Sequence, residues 1–220
     1  MCGLFGIIAS GGSDLVTRTI SCRRLRDRMV HRGPDDSGEW SDRSAWIGHQ
    51  RLAIMDPGSG PEPFVIDDGA GDPCIVVFNG ELFEHQRLRA ELESEGHDFV
   101  SQCDAETAAV AIASRGNGAL ESFRGMFAVA WYRPASRTLG LARDPFGVIP
   151  LMHTTDGDGQ VVFSSEMRPM IDHLGSNAQP DPDTIGAYLS TIRITLGDQT
   201  LIKGVRQVRP GCVVEFDLSG

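Results

Sequence analysis

The chain has 220 residues, of which 40% are hydrophobic and 23% charged, so it is long enough to bury a core and has the composition of a folded globular protein. Its 30 acidic residues outnumber its 20 lysines and arginines, and the net charge of −10 argues against a nucleic-acid-binding surface. The sequence contains no run of about 18 apolar residues and no basic stretch before an apolar run, so we expect neither a membrane span nor a secretory signal.

The cysteines and histidines do not form a ligand pattern. Five cysteines stand at positions 2, 22, 74, 103 and 212, an odd number with wide spacing and no C-x-x-C pair. We therefore expect no disulfide framework and no metal site. A reducing cytoplasm, in which the thiols stay free, fits this cysteine usage best.

The first half of the chain alternates between apolar runs and turn-rich stretches. The apolar runs predict strands at residues 2–9, 45–52 and 75–78. Glycine and proline content predicts loops at 31–38 and 58–71. Helices are expected at 14–30, at 82–95 and from Asp104 to before Gly116. Ser13 or Asp14 is expected to cap the first of these, and Cys22, Leu25 and Met29 to form its buried face.

The second half is dominated by short strands with short connections. Strands are expected at 126–132, 138–143, 150–154 and 160–164, and a helix follows at 167–174. Short connections join antiparallel strands, so the fold class is α+β with much antiparallel sheet. The composition then changes at 175–182, which predicts a linker before one helix at 183–190 and one strand at 213–216.

Cys2 is the first candidate for chemistry. Cysteine is small enough to permit removal of Met1, which would leave a thiol and a free α-amine on one residue. The α-amine, with an ordinary pKa of about 7.7–8.0, could act as the base that activates the thiol. A cysteine in an apolar strand is more often an inert buried side chain, so this prediction depends on the rest of the chain.

Asn79 and Gly80 follow a short apolar strand. A carboxamide and a backbone N–H at a strand end could both stabilise an oxyanion, and each such donor contributes roughly 2.7–4 kcal/mol to catalysis. Asn-Gly is also typical of a plain turn, which is the simpler explanation of this dipeptide alone.

Arg51 and Asp104 are the candidate binding charges. Arg51 stands among apolar strand residues and needs an anion, either a substrate carboxylate or a structural acid. Asp104 could bind an ammonium group or cap the helix that follows it. An oxyanion site, a cation and an anion together suit an α-amino acid with a side-chain carbonyl, such as glutamine.

Eight stretches carry a family resemblance, in the order CGLFGI, HRGPDDSG, GHQRLAIMD, VVFNGEL, CDAET, RGMFAVAWY, LARDPFGVIPL and FSSEM. Across residues 2–170 the chain resembles class II glutamine amidotransferase domains, nearest the glutaminase half of asparagine synthetases. The resemblance implies a four-layer αββα sandwich with an N-terminal nucleophile. It also implies hydrolysis of L-glutamine to glutamate and ammonia, with water cleaving a glutamyl thioester.

The resemblance also implies the catalytic roles. Cys2 would attack the glutamine side-chain amide, and Asn79 with the Gly80 N–H would form the oxyanion hole. Arg32, in the HRGPD stretch, would support the nucleophile.

The same resemblance implies a substrate-binding set. Arg51 would bind the α-carboxylate of glutamine, with the Ile54 backbone nearby. Asp104 and Glu81 would hold the amino end of the substrate.

The resemblance also implies an organisation and partners. Residues 2–175 would form the glutaminase domain, and residues 176–220 a linker and the start of a synthetase-like segment. No cofactor is expected here, whereas ATP and magnesium would belong to a synthetase partner that accepts the ammonia, on this chain or another. No nucleic acid or membrane is expected, and a homodimer stays open.

Some residues depart from the family pattern. Phe83 and Glu84 stand where the family usually has Tyr-Asn, Ile149 replaces a basic residue, and Glu62 stands where a glutamine is often found. None of these is a residue to which the resemblance gives a role in glutamine hydrolysis. Two other functions stay open, a stand-alone γ-glutamyl amidohydrolase and a non-catalytic scaffold. Retention of Cys2, Asn79, Gly80 and Arg51 speaks against the scaffold.

Overall fold

The computed structural model describes residues 1–10, 14–54, 62–67, 71–192 and 197–219. The strands of these residues are β1 (Gly3–Ile8), β2 (Asp36–Ser41), β3 (Ala45–Arg51), β4 (Phe64–Ile66), β5 (Cys74–Leu82), β6 (Gly125–Arg133), β7 (Thr138–Arg143), β8 (Met152–Thr155), β9 (Val161–Ser164), β10 (Arg206–Gln207) and β11 (Val213–Asp217). The helices are α1 (Thr19–Arg26), α2 (His85–Ser94), α3 (Asp104–Arg115), α4 (Met167–Leu174) and α5 (Pro182–Thr191).

The strands form two antiparallel sheets. One sheet has the order β10-β8-β9-β1-β3-β2, and the other has the order β11-β7-β6-β5-β4. The hairpins β6–β7 and β8–β9 confirm the predicted antiparallel pairing, but the short connection from β7 to β8 passes from one sheet to the other.

Side-chain alternation along the strands builds the core between the sheets. Leu4 and Ile8 of β1 pack in one cluster with Ile75 and Val77 of β5. Because successive strand residues point to opposite faces, the residues between these positions face the helices instead. The sheets therefore stack face to face over an apolar interior.

Helices cover the outer face of each sheet. Cys22 of α1 and Met29 pack with Phe5 and Trp46 on the six-stranded sheet, and Leu25 is partly buried beside them, as predicted. On the other side, Leu88 and Leu92 of α2 and the alanine-rich face of α3 pack against β5. The four layers confirm the predicted αββα sandwich. None of the helices in the described part of the chain combines the length and apolar character that crossing a membrane requires.

Several predicted boundaries were wrong. The first helix begins at Thr19 rather than near Asp14, after a short 3₁₀ turn, and its N-cap position has no side-chain cap. Ser13 lies outside the described residues. The predicted loop at 31–38 contains the start of β2, whose polar sequence suits a sheet edge. The predicted loop at 58–71 contains β4, although residues 55–61 and 68–70 are outside the described part.

The last 45 residues contribute to both sheets. β10 pairs with β8, β11 pairs with β7, and Val208 and Leu218 are buried in the core between the sheets. The helix and strand predicted here are confirmed as α5 and β11. These strands pack on the preceding fold, and Val208 and Leu218 complete its core. The functional division at residues 175/176 stays a prediction.

Candidate active site

The strand alternation that builds the core also directs four polar side chains into the same space. Leu4 and Ile8 face the interior between the sheets, so Cys2, one step before β1, falls on that face. Ala45 and Ile47 of β3 face the same interior, and the same parity places His49 and Arg51 there. In β5, Ile75 and Val77 also face this interior, so Asn79, two residues after Val77, faces it too.

A cavity of about 140 Å³ lies where these strand ends meet. Seven of the eight predicted site residues line it, and the eighth, Arg32, lies behind Cys2. The lining consists of Met1, Cys2, Arg51, Leu52, Ile54, Glu62, Phe64, Phe78, Asn79, Gly80, Glu81, Cys103, Asp104, Ala105, Met126 and Ile149. Segments far apart in the sequence therefore converge on the Cys2 thiol.

The Cys2 thiol lies against β3. Its Sγ accepts a hydrogen bond from the Leu52 backbone N–H at 3.4 Å. Burial raises the pKa of this thiol, the Leu52 hydrogen bond lowers it, and the charge of Glu62 raises it again. The amino terminus and Arg51 act in the opposite direction and lower the pKa. A base close to the sulfur is therefore needed to make it nucleophilic near neutral pH.

Arg32 holds the backbone of the nucleophile. Its Nε donates to the Cys2 carbonyl oxygen at 2.9 Å, and its Nη1 donates to Glu166 Oε1 at 3.1 Å. Glu166 also lies 2.8 Å from the His31 ring. The Arg32 contact fits the expected supporting role. Glu166 belongs to the FSSEM stretch that carries part of the family resemblance, but no role was predicted for it.

Asn79 has an unpaired carboxamide. Its side chain is buried, and neither Nδ2 nor Oδ1 has a hydrogen-bond partner among the described residues. An unpaired buried polar group costs about 1–3 kcal/mol, so this amide is available to a ligand in the cavity. Asn79 and Gly80 lie within β5, which continues to Leu82, so the alternative of a plain turn was wrong.

Gly80 is required by close packing of β5 on β6. A Cβ here would overlap the Met126 carbonyl oxygen and the Cα of Phe127, and φ is +157°, a backbone conformation that residues with a side chain rarely adopt.

We predict that Gly80→Ala lowers the free energy of unfolding by of order 1–3 kcal/mol. Urea denaturation measures this loss. Gly118→Ala is the control, because a Cβ at Gly118 meets nothing within 4 Å, and an equal loss in both variants would contradict the prediction.

The predicted binding residues lie at the rim and wall of the cavity. Asp104 is the first residue of α3, and its Oδ2 accepts from the Leu82 N–H at 2.8 Å. The N-cap is Cys103, whose sulfur accepts from the Glu106 N–H, so the alternative of Asp104 as the cap was wrong. Arg51 is buried, whereas Glu81 and Ile54 are exposed.

Glu62 and His49 form a buried pair that sequence reasoning missed. Glu62 Oε1 lies 3.8 Å from His49 Nε2, and Glu62 Oε2 accepts from the Phe78 N–H at 2.5 Å. The pKa of Glu62 is raised to about 8, mainly by burial and in part by the charge of Asp104, while the Phe78 hydrogen bond and Arg51 act to lower it. Burial, with the charge of Arg51, lowers the pKa of His49 to about 3. Both side chains are therefore neutral at pH 7.

The fold and site define a class of protein. The chain matches the family model for the glutamine amidotransferase domain over residues 1–220, and it belongs to that family. Within the described ranges, no group of three or more His, Cys, Asp or Glu side chains is placed to hold a metal ion.

Two similar proteins are glutamine-hydrolyzing asparagine synthetases. The chain is 29% identical over 220 residues to glutamine-hydrolyzing asparagine synthetase 3 of Bacillus subtilis (strain 168), covering 100% of this chain and 35% of that protein. It is 35% identical over 172 residues to glutamine-hydrolyzing asparagine synthetase 2 of Oryza sativa subsp. japonica, covering 78% and 28%. The chain thus spans about a third of the length of these relatives. The predicted family resemblance is confirmed.

Solved structures share the fold. The structure of the allosteric regulatory enzyme of purine biosynthesis superposes with a TM-score of 0.70 at 19% identity, covering 100% of this chain and 48% of that one. Glutamine phosphoribosylpyrophosphate amidotransferase from B. subtilis superposes with a TM-score of 0.63 at 21% identity, covering 79% and 44%. At these identities the similarity concerns the arrangement of strands and helices.

Proposed function

We propose that this chain hydrolyses L-glutamine to glutamate and ammonia, with Cys2 as the nucleophile after Met1 has been removed. The observation that carries the proposal is the convergence of Cys2, Asn79, Gly80, Arg51 and Asp104 on one cavity. Membership of the glutamine amidotransferase domain family supports the choice of glutamine.

The first step forms a thioester. The free α-amine of Cys2 accepts the thiol proton, and the sulfur attacks the side-chain carbonyl carbon of glutamine. Negative charge develops on the carbonyl oxygen, where Asn79 Nδ2 and the Gly80 N–H donate hydrogen bonds. The intermediate collapses by breaking the C–N bond, and the ammonium form of the α-amine returns its proton to the departing nitrogen, which leaves as ammonia.

The second step restores the enzyme. The α-amine removes a proton from water, the resulting oxygen nucleophile attacks the thioester, and the C–S bond breaks. Glutamate leaves and the Cys2 sulfur is reprotonated. Arg32 positions the nucleophile throughout by holding the Cys2 carbonyl oxygen at 2.9 Å.

The binding residues hold the other end of glutamine. Arg51 presents a guanidinium to the α-carboxylate, and the Ile54 backbone lies beside it at the cavity rim. Asp104 and Glu81 present carboxylates to the α-ammonium group. These contacts do not change as the reaction proceeds, so they contribute to substrate binding rather than to the chemical step.

The ammonia is proposed to pass to an ATP-dependent, asparagine synthetase-like site that forms an amide bond. The printed names of the relatives support this acceptor, and the chain spans only about a third of their length. ATP and magnesium would bind in that synthetase domain or subunit, and the glutaminase residues need neither. The free cysteines fit a reducing cytoplasm. The acidic net charge supports the absence of a nucleic-acid partner.

The proposal is tested by incubating the purified 220-residue chain with glutamine and measuring glutamate and ammonia in equal amounts. Other γ-glutamyl amides, such as γ-glutamyl methylamide, are compared at the same concentration. We expect glutamine to be turned over faster than the substituted amides. A preference for a substituted amide would indicate a general γ-glutamyl amidohydrolase. If the chain lacking Met1 hydrolyses neither glutamine nor the substituted amides, it is a scaffold.

Replacement of Arg51 should weaken glutamine binding. We predict that Arg51→Gln lowers kcat/KM for glutamine by about 10–150-fold, mainly through KM, because the variant loses a charge-assisted contact to the α-carboxylate, which contributes about 1.5–3 kcal/mol. Steady-state kinetics separates the two parameters. Arg24→Gln, at an exposed arginine of α1, is the control. A fall confined to kcat would contradict the assigned role.

A further inference from the structure

Glu62 is the buried acid in the cavity wall to which nothing above gives a role. Its side chain is almost fully enclosed, and it follows a stretch outside the described residues. One carboxyl oxygen accepts from the Phe78 N–H, the residue immediately before Asn79 in β5. The other lies 3.8 Å from the His49 ring. Glu62 thus lies between β3 and β5, is hydrogen-bonded to the residue before Asn79, and lines the same cavity as Asn79.

Charged and titratable groups face Glu62 from three directions. Cys2 precedes β1, His49 and Arg51 come from β3, and Cys103 and Asp104 come from the start of α3. The Glu62 charge raises the pKa values of the Cys2 and Cys103 thiols, while Arg51 lowers that of Glu62. The charge on this one carboxyl therefore affects both the nucleophile and the proposed carboxylate-binding arginine.

We propose that Glu62 is a positioning residue that works as a neutral carboxylic acid: it holds β5 at Phe78, and while it is uncharged it neither competes with substrate for Arg51 nor disfavours ionisation of the Cys2 thiol. The inference rests on the proposed glutaminase function. It extends that function by assigning a role to a residue at which the chain departs from its family pattern.

The direction of the pH effect follows from the sign of the charge. Below about pH 8 the Glu62 carboxyl is protonated, and above it the carboxylate forms. A carboxylate beside Cys2 disfavours the thiolate, and a carboxylate beside Arg51 competes with the substrate. Ionisation of Glu62 therefore lowers activity as the pH rises through about 8, with effects on both kcat and KM.

Glu62→Gln is the informative variant. Its amide oxygen can still accept from the Phe78 N–H, so the contact to β5 is retained while the titration is removed. Between about pH 7 and about pH 9.5 we expect the ratio of wild-type to E62Q kcat/KM to fall about tenfold, which corresponds to one pKa unit at the thiol. Glu121→Gln, at an exposed glutamate, is the matched control and should leave the ratio constant.

A second readout separates this proposal from the proposed function. The rate of Cys2 alkylation by iodoacetamide, followed by peptide mass spectrometry across the same pH range, reports the thiolate without any glutamine turnover. We expect the apparent thiol pKa to be lower in E62Q than in the wild-type protein. If neither protein hydrolyses glutamine, the proposed function fails, and the alkylation profiles still decide the role of Glu62. Superimposable profiles would overturn that role.

A third measurement needs no variant. In wild-type protein labelled with ¹³C at the glutamate side-chain carboxyls, we expect one carboxyl resonance to titrate near pH 8. Titration of every glutamate below about pH 6 would overturn the proposal, whether or not E62Q folds.

Discussion

Replacement of Cys2 by serine should lower the rate of glutamine hydrolysis by at least about 10⁴-fold, because the variant keeps the cavity and the α-amine but loses the only proposed nucleophile. A hydroxyl is a far weaker acid than a thiol, so the α-amine cannot generate an equivalent nucleophile near neutral pH. The measurement is glutamate production by the purified variant, after mass spectrometry has established that Met1 was removed.

Two further variants make this result specific. Cys2→Ala should be equally inactive, and it also leaves a small residue after Met1, so processing is matched. Cys212→Ser replaces an exposed thiol near the end of the chain and should keep full activity. Activity of C2S within about tenfold of the wild-type rate would show that the reaction uses another nucleophile.

Asn79→Ala should reduce kcat by about 10²–10³-fold with little change in KM, because the amide donates to an oxygen that becomes negative only in the transition state. The same substitution should not lower the melting temperature through a lost hydrogen bond, since the Asn79 side chain has no partner among the described residues. Steady-state kinetics measures kcat and KM, and thermal unfolding measures the melting temperature.

The pairing of these two readouts distinguishes catalysis from folding. Asn177→Ala, at an exposed asparagine after α4, should change neither kcat nor the melting temperature. If N79A instead lost stability and activity in parallel, Asn79 would be a structural residue and the oxyanion assignment would be wrong.

The main features of the site could be predicted because they depend on local periodicity. Arg51 and Asn79 lie in strands and Cys2 directly precedes one, so their apolar neighbours fix which face they occupy, and alternation places all three between the sheets. The apolar pattern likewise predicts most strands of the two sheets. Eight motifs in family order supplied the roles that periodicity alone could not.

Long-range contacts were not predictable in this way. Glu166 meets Arg32 across 134 residues, and Glu62 reaches Phe78 through its side chain rather than through a strand register. The polar edge strand β2 was missed because its side chains lack an apolar alternation. Asn79 and Gly80 indicate a turn when taken alone, yet pairing with β6 keeps them in an extended strand.

The most direct test of the account is intact-mass analysis of the chain after treatment with a glutamine analogue that carries a diazoketone in place of the side-chain amide. The account predicts a chain without Met1 that gains one adduct with loss of dinitrogen, and peptide mapping that places the adduct on Cys2. An unmodified chain lacking Met1, or an adduct on Cys22 or Cys103, would contradict it.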